Sequence, residues 1–214
     1  MDVVLDNLDA FIRGMRTTVS LTVLSFAVAL VIGIVVAACR VSPIPPLRWA
    51  GAAYVETIRN TPLTVLFLLF FGGLTKVGIQ YGPFTTAIIV LGGYTGAFVA
   101  EMVRSGVNTV ARGQAEAARS LGLTFPQVLL TIVMPQALRS VVAPLGGLFV
   151  ALVKNSSIAS LIGVAELAYE SEILIQDTAR AIPILLGTCV AYLVITVPSG
   201  IVTEALDRRL EIQR

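Results

Sequence analysis

Five apolar runs, at about 17–39, 50–74, 84–103, 137–155 and 182–203, dominate this chain, and each is long enough to cross a bilayer as a helix. Roughly 20 apolar residues suffice, because a helix satisfies its own backbone polar groups where water is excluded. This sets the expected fold class: an all-α, polytopic membrane protein with about five transmembrane helices. The 214 residues are 56% hydrophobic and 13% charged, with a mean hydropathy of +0.89, well outside the balance of soluble domains. Five spans use up the length, so residues 1–214 are expected to form a single transmembrane domain. The opening MDVVLDNLDAFIRGMR sets acids ahead of its basic pair and offers no small-residue cleavage site. The first apolar run is therefore expected to stay as a membrane helix.

An odd number of spans puts the termini on opposite sides. With the N-terminus outside, nine basic residues (Arg40, Arg48, Arg104, Arg112, Arg119, Arg139, Arg208, Arg209 and Arg214) face the cytoplasm, against four outside (Arg13, Arg16, Lys76 and Arg180). The positive-inside rule selects this N-out/C-in arrangement, and Trp49 beside Arg48 suits an interfacial anchor. Residues 105–136 then lie in the cytoplasm, and residues 157–181 outside with Glu166, Glu170, Glu172 and Asp177. Such an acidic loop could meet a basic face of another protein, or simply be solvated.

Several chemistries lose their vocabulary. Histidine is absent, which removes HExxH zinc sites, Ser-His-Asp triads and histidine proton relays. Cys39 and Cys189 lie far apart in apolar surroundings with no metal-ligand neighbours, and read as packing residues. No GxxxxGK[ST] phosphate loop occurs, so any ATP-derived energy must come from another chain. There is no pair of matching inverted halves, which weakens a self-contained secondary transporter. Neither a cofactor in this chain nor a nucleic-acid partner is expected.

The cytoplasmic connection carries GQAEAARSLG, residues 113–122. Gly113 can start a short helix, Glu116 then falls at its third position near the positive helix end, and Gly122 supplies a left-handed stop. Thr124 can cap a second helix, with Pro126 in its first turn and Gln127 at capping-box spacing, until Pro135 ends it. Ala115, Ala117, Ala118 and Gly122 leave a low-relief surface, and Glu116 and Arg119 can pair three residues apart. The segment reads either as a docking knob for another protein or as an amphipathic connector resting on the membrane.

Arg59 and Lys154 are the two basic residues that the spans place at membrane depth. A charge there costs about 3 kcal/mol on insertion scales, so such residues face protein or water. Each could complement a substrate carboxylate. Alternatively, Glu56 could neutralise Arg59, and Lys154 could snorkel outward. Asn155, Ser156 and Ser157 add hydrogen-bonding capacity beside Lys154, and Thr61 and Pro62 should loosen the second helix. The glycines of GGYTG, 92–96, suit close helix packing or a bend lining a pore.

EAARSLG followed by IVMPQAL resembles the EAA signature of ABC importer permeases, found in the cytoplasmic loop that docks on the ATPase subunit. ETIRNTPLTVLFLLFFGG and KNSSIAS followed by IGVAEL extend the likeness over nearly the whole chain. Together they resemble the polar amino acid uptake family, which includes histidine, glutamine, arginine and glutamate systems. Asn60 and Leu66 depart from the Gly and Gln that members often carry there, which puts the polar lining of that helix in question.

The resemblance implies the transmembrane domain of a type I ABC importer in a bacterial cytoplasmic membrane, without enzymatic activity of its own. It also implies a separate ATPase holding ATP and magnesium, an extracytoplasmic amino-acid-binding protein, and a second permease copy or related chain. The implied cargo is a polar amino acid, glutamate or glutamine. By the same resemblance Glu116, Ala117, Ala118 and Gly122 are the motif positions, with Gly113 and Pro135 flanking them and Glu116 orienting the docked pair. The alternative is an ATPase-independent channel or secondary transporter for a small polar solute.

Overall fold

A computed structural model describes residues 2–210, and these contain helices but no strand. After a one-turn helix, Asp2–Asp6, the elements are α1 (Leu8–Val41), α2 (Pro45–Arg59), α3 (Leu63–Lys76), α4 (Pro83–Thr109), α5 (Arg112–Ser120) and α6 (125–140). Then come α7 (Val142–Asn155), prolonged by a 3-10 helix at Ser156–Ile162, α8 (Leu167–Thr178) and α9 (Ala181–Leu210). Among the described residues four helical stretches are individually long and apolar enough to cross a membrane, and α2 with α3 makes a fifth if the bent pair is one span. Arg214, counted above with the inward-facing charges, lies outside the described residues.

The second span is not the single helix that the sequence predicts over 50–74. It is bent by 104° between α2 and α3. Pro62 has no N–H to continue the ladder and disfavours helical geometry in the residue before it. The Thr57 carbonyl freed at the break accepts Thr61 Oγ1 at 2.8 Å, and Asn60 Nδ2 adds a bond at 2.7 Å to the Glu56 carbonyl, which also accepts the Asn60 N–H. The fourth span also shifts, because Val141 (φ −113°) separates α6 from α7 and the crossing stretch becomes Val142–Ile162.

Pro135 does not end the second helix of the connection. That helix runs on through Pro135 to Ser140, with a wider π-helical turn at Leu129–Val133 just ahead. Widening the ladder there accommodates a ring that would clash with a carbonyl of the preceding turn in a regular α-helix.

α1 and α4 run parallel and form the centre of the bundle. Gly33 faces Val99, Gly92 faces Val28 and Gly96 faces Ile32, all so closely that a Cβ at Gly33 would sit 2.3 Å from a Val99 methyl. Gly92 and Gly96 thus serve close packing, one of the two uses foreseen for GGYTG. On the opposite flank, Gly146 of α7 lets Thr203 of α9 approach. The C-terminal ends of α1 and α4, at Val41 and Val107, meet α5 and α6. At the other end Gly14 of α1 packs on the backbone of Leu167, where α8 begins. The two polar connections therefore occupy opposite ends of the bundle, as alternating spans require.

Candidate functional site

At the α5 end, the chain builds a helical hairpin from local signals. α5 starts at Arg112 after an Ala111 cap, two residues earlier than expected, so Gly113 lies within the first turn and Glu116 beyond it. The expected placement of Glu116 at the positive helix end is corrected accordingly. Gly122 does provide the left-handed stop, with φ +83°. Its N–H donates to the Arg119 carbonyl at 2.9 Å, and that of Leu123 reaches back to Ala118 at 3.2 Å. The capping box at Thr124 is present, with the Thr124 N–H donating to Gln127 Oε1 at 2.8 Å. Gln136 Nε2 then ties α6 to α5 through Gln114 Oε1 at 2.6 Å.

The hairpin shows two different faces. Gly113, Glu116, Ala117 and Ser120 are exposed, at helical spacing on one side of α5. Ala118 is only 3% exposed and belongs to the core formed with α1, α4 and α6. Its small side chain serves contact with the chain's own helices, which corrects its placement on the low-relief outer surface. Glu116 and Arg119 form no ion pair among the described residues, contrary to their spacing. Both line, with Val41, Val107, Phe125 and Val133, a largely apolar cavity of about 300 Å³ behind α5.

Arg59 is not paired with Glu56. Its Nη1 lies 3.6 Å from Glu101 Oε2 on α4, and its guanidinium carbon lies over the Phe98 ring, 5.3 Å from the centroid. The bend after α2 brings Arg59 level with Arg40, near the end of α1, rather than to mid-membrane. Glu101 is the centre of this cluster: Arg40 bonds its Oε2 and Arg104 its Oε1. The sequence held one overlooked signal, an acid three residues before Arg104 inside an otherwise apolar span.

Thr61 is half-buried with its hydroxyl spent on Thr57. Lys154 is exposed in the last turn of α7 and forms no ion pair among the described residues; Asn155 beside it is half-buried. Ser156 is fully buried and donates to the Val153 carbonyl at 2.7 Å, so it offers no free hydroxyl, unlike the capacity assigned to it above. The 3-10 helix that holds it packs against α3, so these polar positions and the α2–α3 break belong to neighbouring elements. Leu66, at the place where a Gln was anticipated, is buried in the apolar core.

Glu166, too, lies elsewhere than its sequence suggests. Expected in a solvated acidic loop, it is 0% exposed and caps α8, accepting from the N–H groups of Ala168 at 3.0 Å and Tyr169 at 2.9 Å. Tyr192 of α9 donates its hydroxyl to the same carboxylate at 2.9 Å. The Leu167 N–H bonds Thr18 of α1 at 3.1 Å. Burial pushes the Glu166 carboxyl above the ordinary range, although its hydrogen bonds pull the other way.

Known proteins share this sequence and this architecture. The family described as binding-protein-dependent transport system inner membrane component matches residues 29–212. The probable glutamine ABC transporter permease protein GlnM of Bacillus subtilis (strain 168) is 37% identical over 211 residues, covering 99% of this chain and 98% of the relative. The glutamate transport system permease protein GluC of Corynebacterium efficiens is 40% identical over 210 residues, covering 92% of each chain. Among solved structures, an amino acid ABC transporter described with histidines superposes with a TM-score of 0.88 at 33% identity, covering 96% of both chains. An inward-facing methionine transporter, MetNI, shares the fold at a TM-score of 0.83 and 21% identity.

Proposed function

The chain belongs to the binding-protein-dependent transport system inner membrane components, and from that premise we propose that it imports glutamate or glutamine, driven by a separate ATPase that docks on the α5–α6 hairpin. At the coarser level it is a permease component of an amino acid ABC importer, an integral membrane chain whose relatives leave ATP hydrolysis to another subunit. The names of the relatives support a glutamine or glutamate cargo. In the proposed assembly, ATP and magnesium sit on the ATPase, an amino-acid-binding protein delivers cargo on the α8 side, and a second permease chain completes the path. The membrane is the bacterial cytoplasmic one, with the N-terminus outside and α5 inside.

The observation that carries the docking assignment is the exposed face of α5. Gly113, Glu116, Ala117 and Ser120 present a shallow surface with one acid on it, while Ala118 anchors the same helix to α1, α4 and α6. A partner that grips α5 therefore pulls on the ends of two membrane helices. Closure of the ATPases becomes a rigid-body movement of the bundle.

Reconstitution with the ATPase and binding protein tests this reading. Glu116→Lys should reverse the charge of the docking face, and Gly122→Val should strain a position held at φ +83° where no neighbour lies within 4 Å. Both variants should insert normally, yet lose ATP-driven uptake about fivefold or more, the loss expected when a close contact is weakened by about 1 to 3 kcal/mol. Wild-type assembly and uptake in both would refute docking through this hairpin.

A further inference from the structure

We propose that Arg59 is a specificity-determining residue: its free guanidinium edge receives a carboxylate of the transported amino acid on the inner half of the path, and this favours acidic amino acids over neutral ones. The proposal rests on the importer reading above and names the substrate class. It starts from an imbalance of charge. Arg40, Arg59 and Arg104 gather around the single carboxylate of Glu101, so three positive charges meet one negative and two remain in excess. Glu101 already gives one oxygen to Arg40 and the other to Arg104 in direct hydrogen bonds. Arg59, at 3.6 Å, is held by attraction without such a bond.

The remaining contact of Arg59 leaves its donors available. The guanidinium carbon of Arg59 lies over the Phe98 ring, 5.3 Å from its centroid, a contact that supplies no hydrogen-bond acceptor, so the planar fork of N–H groups keeps donors that suit a carboxylate. The Arg59 side chain is 40% exposed, whereas that of Arg40 is 13% exposed. Arg104 has its Nε buried without a partner. Arg104 is 34% exposed, but its guanidinium is bonded directly to Glu101, so Arg59 is the most exposed member of the cluster and the one that Glu101 does not bind by a direct hydrogen bond; Arg40 and Arg104 supply background charge.

The neighbourhood is arranged to tolerate an anion. Arg59 ends α2, where free carbonyls would present partial negative charge, but Asn60 and Thr61 donate side-chain hydrogen bonds into that last turn. The face of α4 turned away from α1 carries Tyr94, Phe98 and Glu101, all partly exposed, while Thr95, Gly96, Val99 and Ala100 are buried. A half-open face with two uncompensated charges cannot lie against hydrocarbon, where each charge costs about 3 kcal/mol, so it borders protein or a watery path. A dicarboxylic amino acid has one carboxylate more than glutamine to satisfy this excess.

The test is equilibrium binding of radiolabelled L-glutamate and L-glutamine to the complete permease–ATPase complex, purified without the binding protein. The wild type should bind glutamate more tightly, and the preference should shrink as sodium chloride is raised. Arg59→Gln should weaken glutamate binding about tenfold and glutamine binding less than about threefold, with Arg59→Lys intermediate. Because Glu101 keeps Arg40 and Arg104, the Arg59→Gln complex should assemble as the wild type does. A wild type without glutamate preference, a salt-independent preference, equal or no loss for both ligands in Arg59→Gln, or failure of that variant to assemble would each overturn the proposal. Absence of ATP-driven uptake of any amino acid by the wild type would instead sink the importer reading on which it rests.

Discussion

Two glutamates stand at opposite ends of the bundle and are stabilised by opposite means. Glu101, near the α5 end, is surrounded by three guanidiniums on a half-open face and leaves two positive charges uncompensated. Glu166, at the α8 end, is sealed from solvent and meets no cation among the described residues, only two backbone N–H groups and the Tyr192 hydroxyl. Charge attraction is tolerant of distance and direction, whereas a buried cap needs each donor in place. The α8 end is therefore built to hold one geometry, reinforced by the buried bond between Ser171 and Thr188 at 2.6 Å. The α5 end, with an ion cluster and a hairpin beside a largely apolar cavity, fixes its helices by contacts that are less demanding of direction.

The largest expected effect comes from removing the sealed carboxylate. Glu166→Ala would leave three part-buried donors without their acceptor, at up to about 1 to 3 kcal/mol each where water cannot replace it. The variant should unfold well below the wild type in detergent melts, and an unchanged transition would break the contrast between the ends. Glu166→Gln keeps one acceptor oxygen and should lose less. Its pH dependence has a definite sign: the folded state raises the carboxyl pKa, so the wild-type group contributes most below its unfolded pKa and loses that contribution as pH rises through the folded value. The wild type should gain on Glu166→Gln as pH falls from about 7 towards 5.

Glu101→Gln should be milder. It leaves Arg40, Arg59 and Arg104 repelling one another without a counter-charge, but the cluster is partly exposed and water screens it, so a loss of about 1 to 2 kcal/mol is expected. Added salt should restore part of this loss by screening the repulsion. The same salt should do nothing for Glu166→Ala, whose defect is an unmet hydrogen bond. Equal salt responses in thermal melts of the two variants would erase the distinction drawn between the ends.

The parts of the molecule legible in the sequence were those fixed by local chemistry. Apolar length announced the spans, Gly122 announced the left-handed stop, and Thr124 with Gln127 announced the capping box. The parts that failed depend on what other helices bring. Arg59 found Glu101 rather than Glu56 because the bend at Asn60–Pro62 turns α2 across α4, and nothing in a helical spacing reveals a 104° break. Glu166 looked like a loop acid because the donors that bury it come partly from Tyr192, 26 residues away. Ala118 was read as an outer contact because it is small and belongs to the motif, yet one residue's rotation about α5 points it inward. Ser171, for the same reason, is a buried contact of α8 rather than a loop residue.

Lys154 offers the smallest and sharpest test of whether the charge bias is confined to the Glu101 cluster. It is exposed where α7 passes into the 3-10 helix, within the continuous stretch Val142–Ile162, and it forms no ion pair among the described residues. Lys154→Met preserves most of the apolar stem while removing the charge, so insertion and assembly should survive with a stability change of less than about 1 kcal/mol. A single solvated ammonium attracts a carboxylate far less than a stacked guanidinium does, because water screens it and no fork orients it. If Lys154 borders the path, initial glutamate uptake by reconstituted transporter at matched permease levels should fall about two- to threefold, with glutamine uptake nearly unchanged. Unchanged preference would remove Lys154 from the path and leave selection for charge to Arg59 alone; a loss as large as that of Arg59→Gln would place a second carboxylate contact near the α8 end.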